Sequence, residues 1–530
     1  MTALDEHEVS GTGQKDEDST GCLVIAGLSG GSGKSVASVA LTAALQRRGY
    51  AVVPFKKGPD YIDAGWMSTA AGRPCYNLDP YLMTDAALTD SFQQHAAAAD
   101  FALIEGNRGL YDGVTADGGF STAELAVLLD LPVLLVMNCS KTTRTVAAMV
   151  LGCRELDRRV RIAGVILNQI ATPRHERIIT EAVEKDTGIP VVGIIPRMQT
   201  DIFPMRHLGV TPHQEYGAAA SDAAVDRLTA LAEEHFDLER ITGLMEQRRF
   251  SPPTPVSAGP APGAKRVRVG VLRDAAFQFY YQENLDALQE GGAELVMINA
   301  LSAEALPDDL DALYIGGGFP ETSARQLADN VSFRDSVRQA AEQGLPIYAE
   351  CGGLIFLGRS IILEGEEFSL ARVFPVTFSM STKPQAHGYS TFIVEQENAF
   401  YPVGTQVKGH EFRYSVVESW DGAPEELALR MERGTGFQEK RDGLVKKNVL
   451  ALYTHVIAPG TPEWVAGLLR AGRSQPSVLE GQAERSNDQN DAFDQDKEKP
   501  GQVLLSTDPV IRKECCKKLT FLPRFNVKLN

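Results

Sequence analysis

CLVIAGLSGGSGKS, residues 22–35, is a short apolar run that turns through glycines into Lys34-Ser35, and the residues that follow, SVASVALTAALQRRG at 35–49, have helical spacing. Strand, glycine-rich turn and helix in that order make a phosphate loop. Its glycines let backbone N–H groups turn inward around phosphate oxygens. Lys34 then reaches the β- and γ-phosphates of ATP, and the Ser35 hydroxyl faces Mg²⁺. Five residues separate Gly27 from Gly33, where the usual loop has four, so this is a longer variant. The candidate nucleotide contacts here are Gly27, Ser29, Gly31, Gly33, Lys34 and Ser35.

Outward from this loop the same alternation continues. AVVPFKK (51–57), FALIEG (101–106), PVLLVMN (132–138), IAGVILNQ (162–169) and VVGIIP (191–196) are strand candidates with helical stretches between them. Most are apolar on both faces, which suits a parallel sheet covered on both sides, so the fold class is α/β, doubly wound. SPPTPVSAGPAPGAKR at 251–266 has no apolar periodicity and reads as a linker. A second α/β pattern follows in VRVGVLRD, ELVMINA, ALYIGGG and LPIYAECGG. The expected division is a disordered leader at 1–20, a phosphate-loop domain at 21–248, a linker at 249–266, a second domain at 267–473 and a polar tail at 474–530.

Composition narrows the function classes. With 52 Lys+Arg against 69 Asp+Glu the net charge is −17, which disfavours general binding of nucleic acid or anionic membrane. No apolar run is long enough to span a bilayer. The acidic, polar N-terminus resembles no targeting peptide, and 7 unevenly spaced Cys make no disulfide framework. The expected location is a reduced cytoplasm.

Several residues carry chemistry. Asp60 and Asp63, in FKKGPDYIDAGW at 55–66, follow the second apolar strand and suit Mg²⁺ coordination or substrate positioning, with surface-turn acids as the alternative. Glu105 ends a buried strand, where a carboxylate is costly unless it faces a cation or partner. Asn168 also ends a strand and could hydrogen-bond adenine. In LPIYAECGGLIFLG, Cys351 stands between an apolar run and two glycines, the pattern of a nucleophile elbow. Such a thiol is expected to be exposed at a helix N-terminus, whose partial positive charge favours a thiolate. A backbone N–H near Gly317 or Gly318, with that of Gly352, could form an oxyanion hole. The base must come from His387, His410 or His455. His455 follows a strand near the end of the domain, and His410 lies in KGHEFRYS.

AGLSGGSGKS, FKKGPDYIDAGW, NLDPYLM and EGNRGLYDG together resemble the cobyrinic acid a,c-diamide synthase family, whose first domain is similar to dethiobiotin synthetase. GGGFPE and AECGG resemble class I glutamine amidotransferases, which implies a flavodoxin-like second domain and places the base at His455. The resemblance covers about residues 22–473. It implies ATP and Mg²⁺, with Ser35, Asp60 and Glu105 at the metal and Tyr61, Ile62 and Asp63 at the macrocycle. It further implies phosphorylation of a tetrapyrrole carboxylate, ammonia from glutamine at Cys351, and glutamine, ATP and a tetrapyrrole polycarboxylate as ligands, with a homodimer admitted. Arg73, Arg108, Arg144, Arg197 and Arg206 could pair with unmodified carboxylates, each also readable as a surface arginine. The Glu that many class I glutaminases carry two residues after the base is Ile457 here, which leaves the third triad member unassigned. Ser29 in place of a second lysine argues against partitioning ATPases. FKKGPDYIDAGW and NCSKTTRT also look like a branch that amidates sirohaem. A regulatory ATPase with a degenerate glutaminase domain and a CTP-synthase-like ligase are the rival readings.

Overall fold

The computed structural model describes residues 19–97, 99–198, 205–206, 209–210, 218–250 and 266–474. These belong to one compact unit, residues 1–475. The expected leader up to residue 18, linker residues 251–265 and the tail from 475 lie outside the described residues.

In the first half, β1 (Thr20–Gly27), β2 (Val52–Lys57), β3 (Tyr76–Leu78), β4 (Phe101–Glu105), β5 (Val133–Asn138), β6 (Ile162–Ile170) and β7 (Val191–Pro196) pair in the order β3-β2-β4-β1-β5-β6-β7. Each of these pairings is parallel. Every residue of β1, β2 and β4 is buried. Cys22, Val24 and Ala26 enter the core on one face of the sheet, and Leu23 and Ile25 enter the core on the other. That two-sided burial is why the strands read as continuous apolar runs. Arg249–Phe250, placed in the linker by composition, pairs antiparallel with the start of β1. β3 is absent from the strands expected from the sequence because it has only 3 residues, too few to show a period. Helices α1 (Lys34–Arg47) and α2 (Ile62–Ala71) follow β1 and β2 directly.

In the second half, β8 (Val267–Leu272), β9 (Ala293–Ile298), β10 (Ala312–Ile315) and β11 (Ile347–Glu350) form a parallel sheet. Helix α3 (Gln282–Glu290) follows β8, and α4 (Gly352–Leu357) follows β11. Two further 4-stranded sheets are then inserted. One of them contains β12 (Ala386–Val394), β13 (Gln406–Arg413) and β14 (Leu429–Arg433), all antiparallel. The chain returns through β15 (Leu444–Lys446) to β16 (Val449–Leu452), completing the order β9-β8-β10-β11-β16-β15. The first five strands have the flavodoxin-like order expected from the resemblance. The inserted sheets were not anticipated. Their strands are short or only half-buried, as in β12, where exposed and buried residues alternate imperfectly.

Candidate functional site

The phosphate loop is shaped by close approaches. Gly33 has φ 98°, and a Cβ there would stand 2.2 Å from Asn168 Nδ2. Asn168 is buried, its Nδ2 donates to Ser32 O at 2.8 Å and its Oδ1 accepts from Gln169 N. The side chain expected at adenine is therefore engaged in holding the loop backbone. Gly33 precedes α1 and no side chain caps that helix, which leaves its N-terminal N–H groups available to an anion. Ser29 and Gly31 are exposed, and Lys34 lies back along the loop, its Nζ donating to Ser29 O at 2.9 Å.

Beside the loop, neighbouring strands bring opposite charges together. Lys56 and Glu105 are register partners on β2 and β4. Lys56 Nζ is 2.9 Å from Glu105 Oε1 and 2.6 Å from Asp63 Oδ2. Ser35 Oγ donates to Glu105 Oε1 at 2.8 Å, while Glu105 Oε2 is buried with no hydrogen-bond partner. Burial works against the Lys56 charge, but Asp63 and Glu105 outweigh it and hold its pKa well above the usual value. Burial raises Glu105, with Lys56 pulling the other way. Lys34 is lowered by burial and then by the Lys56 charge. Asp60 Oδ1 accepts from Ile62 N at 2.9 Å and Asp63 N at 3.0 Å, so it caps α2. Among the described residues no three His, Cys, Asp or Glu side chains converge as a metal cluster. The orphan Oε2 of Glu105 with the Ser35 hydroxyl is nonetheless a hard-oxygen pair of the kind Mg²⁺ shares with phosphates and water.

The second site is built at the end of β11. Cys351 has φ 47° and ψ −96°, a conformation costly for a non-glycine residue and characteristic of a nucleophile elbow. The expected exposure of the thiol is not found: Cys351 is 7% exposed, enclosed by the inserted strands, with Sγ 3.9 Å from Phe412 O. Gly318 cannot carry a side chain, since a Cβ would stand 2.1 Å from Ala276 O, and its N lies 2.9 Å from where a Cβ of Gly352 would be. Gly317 faces His455, with 2.4 Å between its Cβ position and Cε1. His455 Nδ1 lies 3.3 Å from Glu350 Oε2; burial alone would lower the His455 pKa, but the neighbouring Cys351 and Glu350 lift it to about 10. His410 stacks on His455 with ring centroids 4.9 Å apart, and Tyr281 OH is 3.1 Å from its Nδ1. Burial, followed by the His455 charge, pushes His410 well below the usual histidine value. His387 is exposed against Phe412.

One loop joins the two sites. Tyr61, between Asp60 and α2, stacks on Phe279 at 5.1 Å and lies 5.5 Å from the His455 ring and 5.8 Å from that of His410. Ile62 packs against the core on the α1 side of the sheet. Around this junction Asp79 Oδ2 accepts from Tyr389 OH at 2.8 Å, Tyr81 stacks on Tyr389 at 4.2 Å, and Asn77 N donates to Glu283 Oε1. The arginines are dispersed. Arg73, Arg108 and Arg197 are exposed, Arg144 is paired with Asp186 at 2.8 Å, and the Arg206 side chain lies outside the described residues.

Residues 23–208 match the CobQ/CobB/MinD/ParA nucleotide binding domain, and residues 268–462 the CobB/CobQ-like glutamine amidotransferase domain. A cobyrinate a,c-diamide synthase of Magnetococcus marinus is 42% identical over 84% of this chain and 96% of its own. Those of Dehalococcoides mccartyi and Archaeoglobus fulgidus are 38% and 39% identical over 85% and 82% of this chain, and 98% and 93% of their own. The chain belongs to the cobyrinate a,c-diamide synthase family. It is accordingly a glutamine-dependent amidating ligase that binds ATP.

Within the family frame, two site residues escaped the sequence reading. Lys56 had a signal: a lysine inside a buried strand needs a counter-charge. Glu350 stood in the quoted AECGG, yet nothing in one sequence says that its side chain turns toward a histidine more than a hundred residues away.

Proposed function

We propose that the protein uses ATP and glutamine to convert the a and c acetate carboxylates of cobyrinate into amides. The observation that carries this reading is the segment at 58–63, the turn that leads into α2 with the first residues of that helix. It brings Asp63 to Lys56 beside the phosphate loop and sets Tyr61 against His455, so the nitrogen donor and the activated acid are served by one segment. The names of the relatives favour cobyrinate as the acid.

In the second half of the chain, the Cys351 sulfur attacks the glutamine amide carbon. His455 moves the sulfur's proton to the departing nitrogen, and ammonia leaves a thioester that water cleaves to glutamate. Backbone N–H groups of Gly318 or Gly317 and of Gly352 receive the oxyanion. In the first half, a substrate carboxylate oxygen takes the γ-phosphoryl group of ATP, giving an acyl phosphate and ADP. Ammonia attacks the acyl carbon, phosphate departs, and the amide remains. A carboxylate is a poor electrophile and ammonia in bulk water is mostly protonated, so both intermediates gain from an enclosed route between the sites. Lys34 and Lys56 supply positive charge, and Gly27, Ser29, Gly31 and Gly33 the loop backbone around ATP. Ser35, Glu105 and Asp60 would hold Mg²⁺, which neutralises phosphate charge when bound. Tyr61, Ile62 and Asp63 keep the macrocycle contact that the family resemblance implies, and the exposed arginines meet the remaining carboxylates. A cytoplasmic homodimer completes the reading, and light scattering checks the dimer; no helix among the described residues is long and apolar enough to cross a membrane.

The test is incubation with ATP, Mg²⁺, glutamine and cobyrinate in competition with sirohaem, followed by mass spectrometry. Two amides on acetate arms of cobyrinate are expected. An amide on a propionate, preference for sirohaem, or no amide at all rejects the assignment.

A further inference from the structure

His455 needs an acceptor at Nδ1 if Nε2 is to serve the thiol, because the partner at one ring nitrogen sets the tautomer at the other. The position two residues after it cannot supply one. Ile457 is fully buried and packs into the core of the first half. A carboxylate arrives instead from a neighbouring strand. Glu350 is the last residue of β11 and the register partner of Leu452 on β16, three residues before His455. Its Oε2 lies 3.3 Å from His455 Nδ1 and accepts from Tyr314 OH at 3.3 Å, and its Oε1 accepts from Val456 N at 3.3 Å.

Glu350 is 1% exposed. A carboxylate so enclosed needs a positive partner, and among the described residues the only side chain in contact with it that can become cationic is His455. We infer that Glu350 is the positioning residue of the glutaminase: from the residue just before the nucleophile it holds the imidazole by Nδ1 and stabilises the imidazolium formed when the thiol proton moves. Cys351 and Glu350 are adjacent in sequence, so the strand end that carries the nucleophile also carries the carboxylate at His455 Nδ1. A role confined to capping the Val456 N–H would be met equally by a glutamine.

The inference rests on the glutaminase reading, and the test separates the two. In the full chain, glutamine hydrolysis is measured for the parent, Glu350→Gln and Cys351→Ala, with ammonia-driven amidation as the measure of intact folding. Parent activity abolished in Cys351→Ala establishes the glutaminase; hydrolysis that survives in Cys351→Ala removes that reading and this inference with it. Glu350→Gln keeps the size and the Val456 acceptor but loses the charge. It should lower kcat for glutamine by about 100-fold or more with KM within about 3-fold, at undiminished ammonia-driven activity. A kcat within about 3-fold of the parent, or a change confined to KM, overturns the assignment. Should Glu350→Gln lose the ammonia-driven activity as well, Tyr314→Phe decides. Removing one hydroxyl from Oε2 should lower kcat severalfold at constant KM, and an unchanged kcat rejects the role.

Discussion

Single side chains at the two sites make separable predictions. Cys351→Ala should abolish glutamine-driven amidation while amidation with high ammonia persists, because only the nitrogen source is lost; the two nitrogen sources are compared in one assay. Lys34→Ala should lower both routes by about 100-fold or more, since neither proceeds without the acyl phosphate. Turnover with ammonia close to that of the parent would remove Lys34 from phosphoryl transfer. Glu105→Gln should shift the Mg²⁺ titration to higher concentration and reduce activity, with an unchanged far-UV spectrum. At this scale the sequence was informative where a residue type has few uses. Lys34, Ser35 and Cys351 stand in short patterns whose chemistry is local, whereas His455 was singled out from three histidines only by the family resemblance. Glu105 was legible because a carboxylate ending an apolar strand is costly. Lys56 carried only the signal of a buried lysine and Glu350 none, because their roles lie in distances to Glu105, Asp63 and His455 that only folding creates.

At the scale of elements, the turn from β2 into α2 does two things at once. Asp60 Oδ1 caps α2, and its carboxylate also faces the charges around Lys56. Asp60→Ala should cost about 1 kcal/mol of stability and activity too, whereas Asp60→Asn keeps a capping oxygen and should lose activity with little change in Tm. Thermal melts beside a Mg²⁺ titration distinguish the capping role from the charged one, and equal Tm losses in both variants would contradict the division. The parallel strands were readable from their two-sided apolar runs, and α1 from its spacing. The inserted antiparallel strands were not, since a sheet with one open face mixes exposed and buried residues, and β12 shows exposed residues in sequence with buried ones.

Across the whole molecule, the junction between the halves should respond to pH. Glu283 on α3 accepts from the backbone of Asn77 on β3, and burial raises its pKa from 4.5 to about 8, its Oε2 having no partner. The folded state therefore holds a proton that the unfolded chain releases. Its contribution is complete below pH 4.5 and is lost as pH rises through about 8, at up to roughly 1.4 kcal/mol per pH unit. Glu283→Gln should match the parent at pH 5 and melt at a higher temperature at pH 9; melting curves that stay parallel across that range would show that the carboxyl does not titrate there. From its sequence alone this protein is an α/β chain with a phosphate loop, a cysteine elbow and a linker between two halves, because periodicity, glycine turns and reactive residues act over a few neighbours. Only the tertiary structure brought Tyr61 against His455, Glu350 to its Nδ1 and Glu283 under Asn77, because each contact joins segments whose separation along the chain leaves no trace in either segment's local pattern.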